Sequence, residues 1–475
     1  MTKKRNYLEL SQDDGSSHKF YEVTQEGRDV TIRYGRIGTD GQSSTKTYPN
    51  AEKAEKDAEK KVKAKRKKGY EDAVQGVRKK RAVTRRSTES RASSAKQAPV
   101  LWRFGTGSTA LGIFVDDGFC WAGNESGRVF CLDHEGEIFR EYKLPEGVKC
   151  LVADDRWLYA GCDDGKVYDL SGKVPFVAYT IDESVNIYWM DIADGVLGVS
   201  DANGGVHIFN HEDEGQWNKS SDGVGGWMVR CDDKGVYHGH SGGVTMYDWK
   251  DGNQLWHKAT GSVLFGWQEA ITVFAGTSAN KVHLITKEGK EKAVCKCDDS
   301  VYSCAAAEDG KYIFAGDSSS SVYCFDRKGK RLWKLGTGCG SALSMQYHEE
   351  RIYMVTSDGS LACIDASEDA ISAAKKGTVP TAKDLKAPAA TTAAATTDTA
   401  IESTADGSEG VVVNCIQDGS RVCVRTESSK YNTEWNVQFP KNLREAGARF
   451  VVDELRESKS GGFYRAHGEI RRLTD

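Results

Sequence analysis

The sequence has no long apolar run, little proline and little methionine. None of its stretches approaches the roughly 18 consecutive apolar residues that mark a membrane-spanning helix. Its first residues, MTKKRNYLELSQDD, contain no apolar segment of signal-peptide length. Charged residues make up 28% of the chain, whose net charge is −4. We therefore expect a soluble, cytoplasmic protein with no membrane contact.

The cysteines do not form a pattern that indicates disulfides or a metal site. There are 13 of them, an odd number, and they are dispersed along the chain. Such a set favours a reducing compartment over a disulfide framework. Cys295 and Cys297 lie two residues apart, but no further ligands follow at a matching spacing. We expect buried structural thiols and no metal.

Motifs of common catalytic sites are also missing. The chain contains no GxxxxGK loop, no HExxH and no GxSxG. The glycine-rich GTGSTALG at Gly105 lacks the phosphate-binding lysine, and GTGCGSAL at Gly336 copies it, so the repeat explains it. We predict that the protein is not an enzyme. An enzyme that uses the rim of a central channel stays as an alternative.

One sequence repeat occurs seven times between residues 101 and 366. The second strand of each copy ends at Asp133, Ser171, Asn210, Asp248, Thr286, Asp326 and Asp365, in steps of 38 to 40 residues. Each copy consists of short β-rich segments separated by Gly, Asp, Asn and Ser, with no helical period. Four short strands fit in such a unit, which is the size of a propeller blade. The sequence therefore predicts a seven-bladed β-propeller.

A Leu-Trp strand follows the repeated unit and predicts how the ring closes. LWHKATG and LWKLGTG begin at Leu255 and Leu332, whereas the first copy, LWRFGTG, precedes the first blade at Leu101. The seventh blade has no Leu-Trp strand after it. We predict that Leu101–Phe104 supplies the outer strand of that blade and removes an unpaired edge.

The form AG-x-x-x-G-x-V-Y-x-x-D, followed by G-K-x-LW, resembles the pyrroloquinoline-quinone-type propeller repeat. The resemblance implies the fold and leaves function open, because propellers have many unrelated roles. We expect no quinone and no other cofactor. Two sets of propeller side chains remain candidates. Histidines 238 and 240 are expected at the surface, and a set of aromatic residues is expected to line the channel or one rim: Tyr188, Trp189, Trp227, Phe265, Trp267 and Tyr302.

Residues 1–80 are predicted to form a small α+β domain. Three strand-like runs lead to Gly turns, and Asn50 caps a helix that extends through Lys68 and stops at Gly69. Ala51, Ala54, Ala58 and Val62 form its predicted buried face.

This domain resembles the WGR domain, named for a Trp-Gly-Arg signature. The match consists of YGRIGTDGQ from Tyr34 and of a helix rich in Ala and Glu that closes on Gly69-Tyr70. Tyr34 replaces the signature Trp. In poly(ADP-ribose) polymerases the family implies a DNA-end role, in which the aromatic residue stacks on nucleic acid and the Arg contacts phosphate. The resemblance therefore implies nucleic-acid binding by Tyr34, Gly35 and Arg36.

The distribution of charge along the chain also favours binding to nucleic acid. Residues 52–86 contain 15 Lys and Arg against 6 Asp and Glu, in a chain whose net charge is −4. This asymmetry predicts an anionic partner, such as DNA, near residues 1–86. We add the basic end of the helix to the candidate site: Lys65, Arg66, Lys67 and Lys68. The alternatives are that Tyr34 is a core residue and that the glycines only form a turn. The charges would then form a solvated face or, in a eukaryote, a nuclear import signal.

The remaining segments have contrasting compositions. Residues 81–100 read as a basic linker, and residues 367–410 as an Ala/Thr-rich flexible linker with too few large apolar residues to fold. Residues 411–475 contain five strand-like runs and read as a small β-rich domain. Five of its residues are a weaker nucleic-acid candidate, with a solvated edge as the alternative: Phe463, Tyr464, Arg465, Arg471 and Arg472.

We therefore predict a mostly β, non-enzymatic adaptor of three modules. The head binds DNA or another nucleic acid, and the propeller is a scaffold for a protein partner. The alternative is an assembly or regulatory factor that contacts only proteins. Oligomeric state is not predicted.

Overall fold

The computed structural model describes residues 3–11, 18–36, 41–73, 83, 90–154, 157–171, 175–182, 185–307, 310–378, 383–385, 403–404, 410–419, 421–458 and 462–473. The chain divides into two compact units. One consists of Met1–Val83 and Ile181–Asn186, and the other of Thr84–Thr180 and Ile187–Asp475. Across these described ranges, no helix has the length and apolar character needed to cross a membrane.

The first unit contains an antiparallel sheet covered by one helix. The strands lie in the order β4-β3-β2-β1-β5, and a helix follows β4 in the chain. The elements are β1 (Lys3–Ser11), β2 (His18–Glu26), β3 (Asp29–Arg36), β4 (Gln42–Thr47), α1 (Ala51–Arg66) and β5 (Glu71–Asp72).

The start and the apolar face of α1 follow from the sequence. The Asn50 side chain accepts a hydrogen bond from the backbone N–H of Lys53 at 2.9 Å, so the predicted N-cap is confirmed. Ala54, Ala58 and Val62 are buried against the sheet. Ala51, in the first turn of the helix, is exposed and does not belong to this buried face. The helix ends at Arg66, two residues earlier than predicted, and Lys67 and Lys68 form a turn before Gly69.

Among the described residues, seven antiparallel sheets follow one another between residues 100 and 365, which is the arrangement of a β-propeller. In each sheet the strands pair in chain order, except that the last sheet receives β6. The strands are β6 (Val100–Gly105); β7 (Ala110–Val115), β8 (Cys120–Asn124), β9 (Arg128–Leu132), β10 (Ile138–Lys143); β11 (Val148–Asp154), β12 (Trp157–Cys162), β13 (Lys166–Asp169), β14 (Phe176–Thr180); β15 (Ile187–Ala193), β16 (Val196–Asp201), β17 (Gly205–Phe209), β18 (Gly215–Ser220); β19 (Met228–Cys231), β20 (Val236–His240), β21 (Gly243–Tyr247), β22 (Gln254–Ala259); β23 (Val263–Gln268), β24 (Thr272–Thr277), β25 (Lys281–Thr286), β26 (Glu291–Lys296); β27 (Val301–Ala306), β28 (Tyr312–Asp317), β29 (Ser321–Asp326), β30 (Arg331–Gly336); and β31 (Ala342–His348), β32 (Arg351–Thr356), β33 (Ser360–Asp365).

The first strands of successive sheets pack side by side, and β31 of the last sheet packs on β7 of the first. The ring is closed by β6, which pairs antiparallel with β33 and places Phe104 opposite Leu361 and Trp102 opposite Cys363. The predicted closure is therefore confirmed. Trp102 is buried, and its indole N–H donates to the backbone carbonyl of His134 in the first sheet.

The repeated Ala-Gly of the second strands has a packing reason. A Cβ on Gly123 would lie 2.5 Å from Val148 in the next sheet, and one on Gly276 would lie 2.7 Å from Val301. Real Cβ atoms essentially never approach so closely. At these two positions glycine lets the first strand of the following sheet pack directly against the backbone.

Part of the predicted flexible linker is ordered, which corrects the sequence interpretation. Residues Glu368–Lys376 form α2, which Ser367 caps and Gly377 ends. Ile371 and Ala374 are buried against the last two sheets. A short strand, β34 (Lys383–Leu385), pairs parallel with β6. The composition was misleading because small alanines are enough to pack a short helix against an existing apolar surface.

The C-terminal residues form a second β structure. The strands lie in the order β35-β40-β39-β36-β37, and β38 pairs with β40. They are β35 (Ser403–Thr404), β36 (Val411–Asp418), β37 (Arg421–Thr426), β38 (Asn436–Gln438), β39 (Arg449–Glu457) and β40 (Phe463–Leu473), with a 3-10 turn at Lys441–Leu443. Each of the five predicted strand-like runs contains one of these strands. We call residues 411–473 the tail sheet.

The tail sheet docks on the second and third sheets of the ring through buried charges. Arg444 contacts Glu212 at 2.9 Å, with side chains only 7% and 6% exposed. Arg465 contacts Asp154 at 3.0 Å and Asp194 at 2.8 Å. Burial raises the pKa of Glu212, but hydrogen bonding to His211 and the charge of Arg444 outweigh it and hold that pKa at about 2. Glu212 is therefore ionised, and Arg444 is its cationic partner.

Ring closure predicts a sharp difference between two truncations. A chain that begins at residue 90 keeps β6 and the hydrogen bond from the Ala98 N–H to the Gly336 carbonyl, so its ring should stay folded. A chain that begins at residue 106 loses β6 and should unfold or aggregate, because β33 becomes an unpaired edge. Calorimetry and light scattering measure both. Equal thermal midpoints would contradict the closure.

Docking of the tail sheet is tested by two arginines. Arg444→Ala leaves Glu212 buried without its charged partner and should cost about 3–5 kcal/mol. Arg472→Ala breaks the exposed pair with Glu445 and should cost at most about 1 kcal/mol. The free energy of unfolding in urea gives both values. Similar losses in the two variants would show that the buried pair does not hold the interface.

Candidate nucleic-acid interface

Tyr34 lies near the end of β3 and is 45% exposed. Its ring packs 6.4 Å from that of Tyr21, and its hydroxyl donates to Gln42 Oε1 at 3.1 Å. Two neighbours therefore fix the position of the ring while one side stays accessible. This exposure does not fit the alternative in which Tyr34 is a core residue.

Lys65 and Tyr34 both contact the Tyr21 ring. Its Nζ lies 4.3 Å from the centre of the Tyr21 ring and 4.8 Å from that of Tyr70. Burial lowers the pKa of Lys65, and the positive charges of Lys68 and Lys19 lower it further. The charges of Lys68 and Lys19 therefore act on an ammonium group that lies over the Tyr21 ring.

The other two cations of the helix end differ in availability. Arg66 forms a two-point ion pair with Asp72, at 2.7 and 2.8 Å, so much of its charge is already compensated. Lys67 is exposed in the turn after α1. The structure thus places Tyr34 and Lys65 on the same Tyr21 ring and gives Arg66 an acidic partner.

Gly35 and Arg36 complete β3, where their backbones pair with Phe20 and Lys19. The Arg36 side chain lies outside the described residues, as does Gly38, so the phosphate contact implied for Arg36 stays a prediction. The glycine that sequence reasoning missed is Gly41, with φ +65°. A Cβ there would lie 2.5 Å from the Tyr34 carbonyl oxygen and 2.6 Å from the Phe20 ring. Gly41 therefore lets the chain return beside Tyr34 to start β4.

The opposite face of the sheet carries a buried carboxylate between two arginines. Glu22 contacts Arg5 at 2.5 Å and Arg33 at 2.7 Å. Burial raises the pKa of Glu22, but the hydrogen bonds from both arginines outweigh it and lower the pKa overall. These ion pairs link β1, β2 and β3, so they help to fix the position of β3, the strand that carries Tyr34.

Comparison with known families now adds to the geometry. The family model of the WGR domain matches residues 4–77. A second model, of the PQQ_2 type and described as outer membrane protein assembly factor BamB, matches residues 241–447. The chain carries a WGR domain and a PQQ-type repeat region. Both resemblances seen in the sequence are thereby confirmed.

Two curated relatives from Escherichia coli (strain K12) match a short segment. The chain is 39% identical over 59 residues to the uncharacterized protein YfeS and 44% identical over 57 residues to protein YehF. Each match covers 12% of this chain, and the matches cover 24% and 21% of those proteins. The chain thus spans less than a quarter of either relative.

Two solved structures align with just over half of the chain. The computationally designed Ika8 protein aligns with a TM-score of 0.47 at 13% identity, over 56% of this chain and 99% of that one. The WD40 propeller domain of Doa1 aligns with a TM-score of 0.48 at 12% identity, over 60% and 99%.

Outside the WGR domain, the histidines predicted at the surface are buried instead. His238 and His240 are fully buried, because neighbouring strands of the ring cover them. Ser221 Oγ lies 2.7 Å from His238 Nδ1, and Thr245 Oγ1 lies 2.9 Å from His240 Nε2. Burial lowers the pKa of His238 to about 3 and that of His240 to about 4, and neighbouring histidines add to both shifts.

The aromatic residues of the first strands have mixed positions. Tyr188 stacks on Trp227 with ring centres 3.8 Å apart. Tyr302 is buried in an apolar cluster with Leu111, Leu343 and Leu264, which come from four different first strands. Side chains therefore fill the ring at this level, as in a packed core.

The tail-sheet residues considered for nucleic acid do not form an open face. Phe463, Tyr464 and Arg465 are buried, and Arg465 is occupied by the ring carboxylates described above. Arg471 pairs with Asp453 at 2.7 Å, and Arg472 with Glu445 at 2.8 Å. Burial therefore removes Phe463, Tyr464 and Arg465 from this second candidate, and the ion pairs of Arg471 and Arg472 fit the alternative of a solvated edge.

The two buried histidines predict a pH dependence of stability. Histidine in an unfolded chain titrates near pH 6.5. Because both folded pKa values are lower, the unfolded state binds protons first as pH falls, so stability is fully present above about pH 6.5 and is lost toward pH 4. His238→Asn keeps a polar group near Ser221 and removes one titration. We expect its loss of unfolding free energy between pH 7 and 4.5 to be smaller than that of wild type by about 2–3 kcal/mol. Parallel curves for the two proteins in urea titrations would contradict this.

Proposed function

We propose that the protein is a non-enzymatic adaptor whose WGR domain binds nucleic acid, with DNA as the first candidate. The observation that carries this proposal is the exposed Tyr34 ring, which packs on Tyr21, the same ring over which the Lys65 ammonium lies. An exposed aromatic ring offers a base a stacking surface, and ammonium groups next to it attract phosphate.

In this proposal the repeat region is a seven-bladed, closed propeller that acts as a rigid scaffold for a protein partner. The seven sheets and their closure by β6 support the rigidity. The protein is proposed to act in the cytoplasm. All thirteen cysteines are free thiols, and twelve of them are buried, which suits a reducing compartment.

A second candidate is an assembly factor that contacts only proteins. The description of the family that matches residues 241–447, an assembly factor, favours it. The two candidates differ in what Tyr34 and Lys65 do. Only the first requires binding that weakens as salt rises, because phosphate contacts release counterions.

The test is a titration of the full-length protein against a labelled DNA duplex at two or more salt concentrations. Tyr34→Ala should weaken binding by about 1–3 kcal/mol with little change in the salt dependence, since stacking involves no counterion. Lys65→Gln should weaken binding and reduce the slope of log K against log salt by about 0.9, one phosphate contact. From the resemblance alone, Arg36→Ala should cost about 1.5–3 kcal/mol.

Lys60→Gln is the matched control, because Lys60 lies on the same helix, is exposed and carries the same charge. It should bind nearly as wild type does, which separates the site from general attraction to a basic surface. Thermal midpoints of all variants exclude loss of folding. If wild type fails to bind at low salt, or if Tyr34→Ala and Lys65→Gln bind as Lys60→Gln does, the protein-only candidate replaces this one.

A further inference from the structure

The hairpins that meet where the ring closes bring three metal-ligating side chains together. Asp117 lies in the turn between β7 and β8 of the first sheet. His348 ends β31, and Glu349 follows it in the turn before β32 of the last sheet. One ligand atom from each of these side chains lies within 4.8 Å of the other two. This is the one such group of three or more His, Cys, Asp or Glu in the described part of the chain.

The distances suit a shared ion better than a direct contact. His348 Nε2 and Asp117 Oδ1 are 3.6 Å apart, which is too long for a hydrogen bond. Two ligands of one tetrahedral zinc ion, each about 2.1 Å from the metal, are separated by roughly 3.4 Å. A small adjustment of the Asp117 side chain, which is 99% exposed, would therefore bring both atoms into the coordination shell.

The histidine is held in place with its metal-binding nitrogen unused. His348 Nε2 is buried and has no hydrogen-bond partner. The His348 ring stacks on that of His134, with centres 5.4 Å apart and planes 20° apart. His134 is fixed in turn by Tyr353, whose hydroxyl lies 2.7 Å from its Nδ1. A buried polar nitrogen without a partner is costly, and a metal ion would satisfy it.

We propose that Asp117, His348 and Glu349 bind a divalent transition-metal ion of the zinc class across the closure of the ring. One imidazole and two carboxylates are a donor set that Zn²⁺ accepts, whereas Mg²⁺ and Ca²⁺ prefer oxygen ligands alone. Because the ligands come from the first and last sheets, the bound ion cross-links the two ends of the propeller. Binding to the folded state alone also raises its stability.

The experiment uses untagged full-length protein that has been treated with a chelator and desalted. Calorimetric titration with Zn²⁺ should show one saturable site per chain, and the thermal midpoint of unfolding should rise with added Zn²⁺. Mg²⁺ at the same concentrations should do neither. Asp117→Ala and His348→Gln should each weaken Zn²⁺ binding at least tenfold and abolish the shift in thermal midpoint.

Glu350→Gln is the matched control, because Glu350 is exposed in the same hairpin and is not one of the three ligands. It should bind Zn²⁺ as wild type does. Asp117→Ala changes an almost fully exposed side chain, so its folding is not in question and its result stands even if His348→Gln folds poorly. The proposal is overturned if Zn²⁺ does not bind saturably. It is also overturned if Asp117→Ala binds Zn²⁺ as Glu350→Gln does, which would leave His348 and Asp117 as an ordinary ion pair.

Discussion

The backbone pairing between β6 and β33 joins the two ends of the repeat region, and the rest of the larger unit depends on it. Without that pairing the first and last sheets would meet only through side chains, and β33 would keep a row of unpaired N–H and C=O groups. The pairing also explains the position of Trp102, which comes from the outer strand of the last sheet and donates to a carbonyl of the first. The strand β6, which precedes the first repeat in the chain, thus completes the sheet of the last repeat.

Several other features are attached to this closure. Helix α2 packs on the last two sheets, and β34 adds to the outer side of β6. The hairpins that carry Asp117 and His348 meet at the same joint. The tail sheet docks elsewhere, on the second and third sheets, where Arg444 and Arg465 pair with buried carboxylates. Opening of the ring at this joint would therefore remove part of the surface on which α2 and β34 pack.

The sequence predicted those features that repeat or that have a local physical cause. The period of 38 to 40 residues predicted the sheets, the displaced Leu-Trp strand predicted the closure, and Asn50 predicted the start of α1. What it did not predict depends on contacts between distant residues. Asp117 and His348 are 231 positions apart, so no spacing rule could connect them. Arg465 read as an exposed cation because its partners, Asp154 and Asp194, lie in the ring. His238 and His240 were predicted at the surface because they are polar and lie on a short strand and its turn. The strands that bury them come from other parts of the ring, which the local sequence does not show.

In the candidate interface too, the local motif was predictable from the sequence, whereas the contacts between distant residues were not. Tyr34 and the basic helix end were found from the motif, but only the fold shows that Lys65 and Tyr34 both contact Tyr21 and that Arg66 is paired with Asp72.

The central claim, that the Tyr34 ring contacts nucleic acid, is tested most directly by replacing Tyr34 with a photo-crosslinking aromatic residue in the full-length protein. Irradiation with a labelled duplex should attach DNA at position 34, and an excess of unlabelled duplex should suppress it. The same residue at Phe139, an exposed aromatic position on the propeller, should attach little. Crosslinking at position 139 as strong as at position 34, or none at position 34 under conditions where the duplex is bound, would contradict the account.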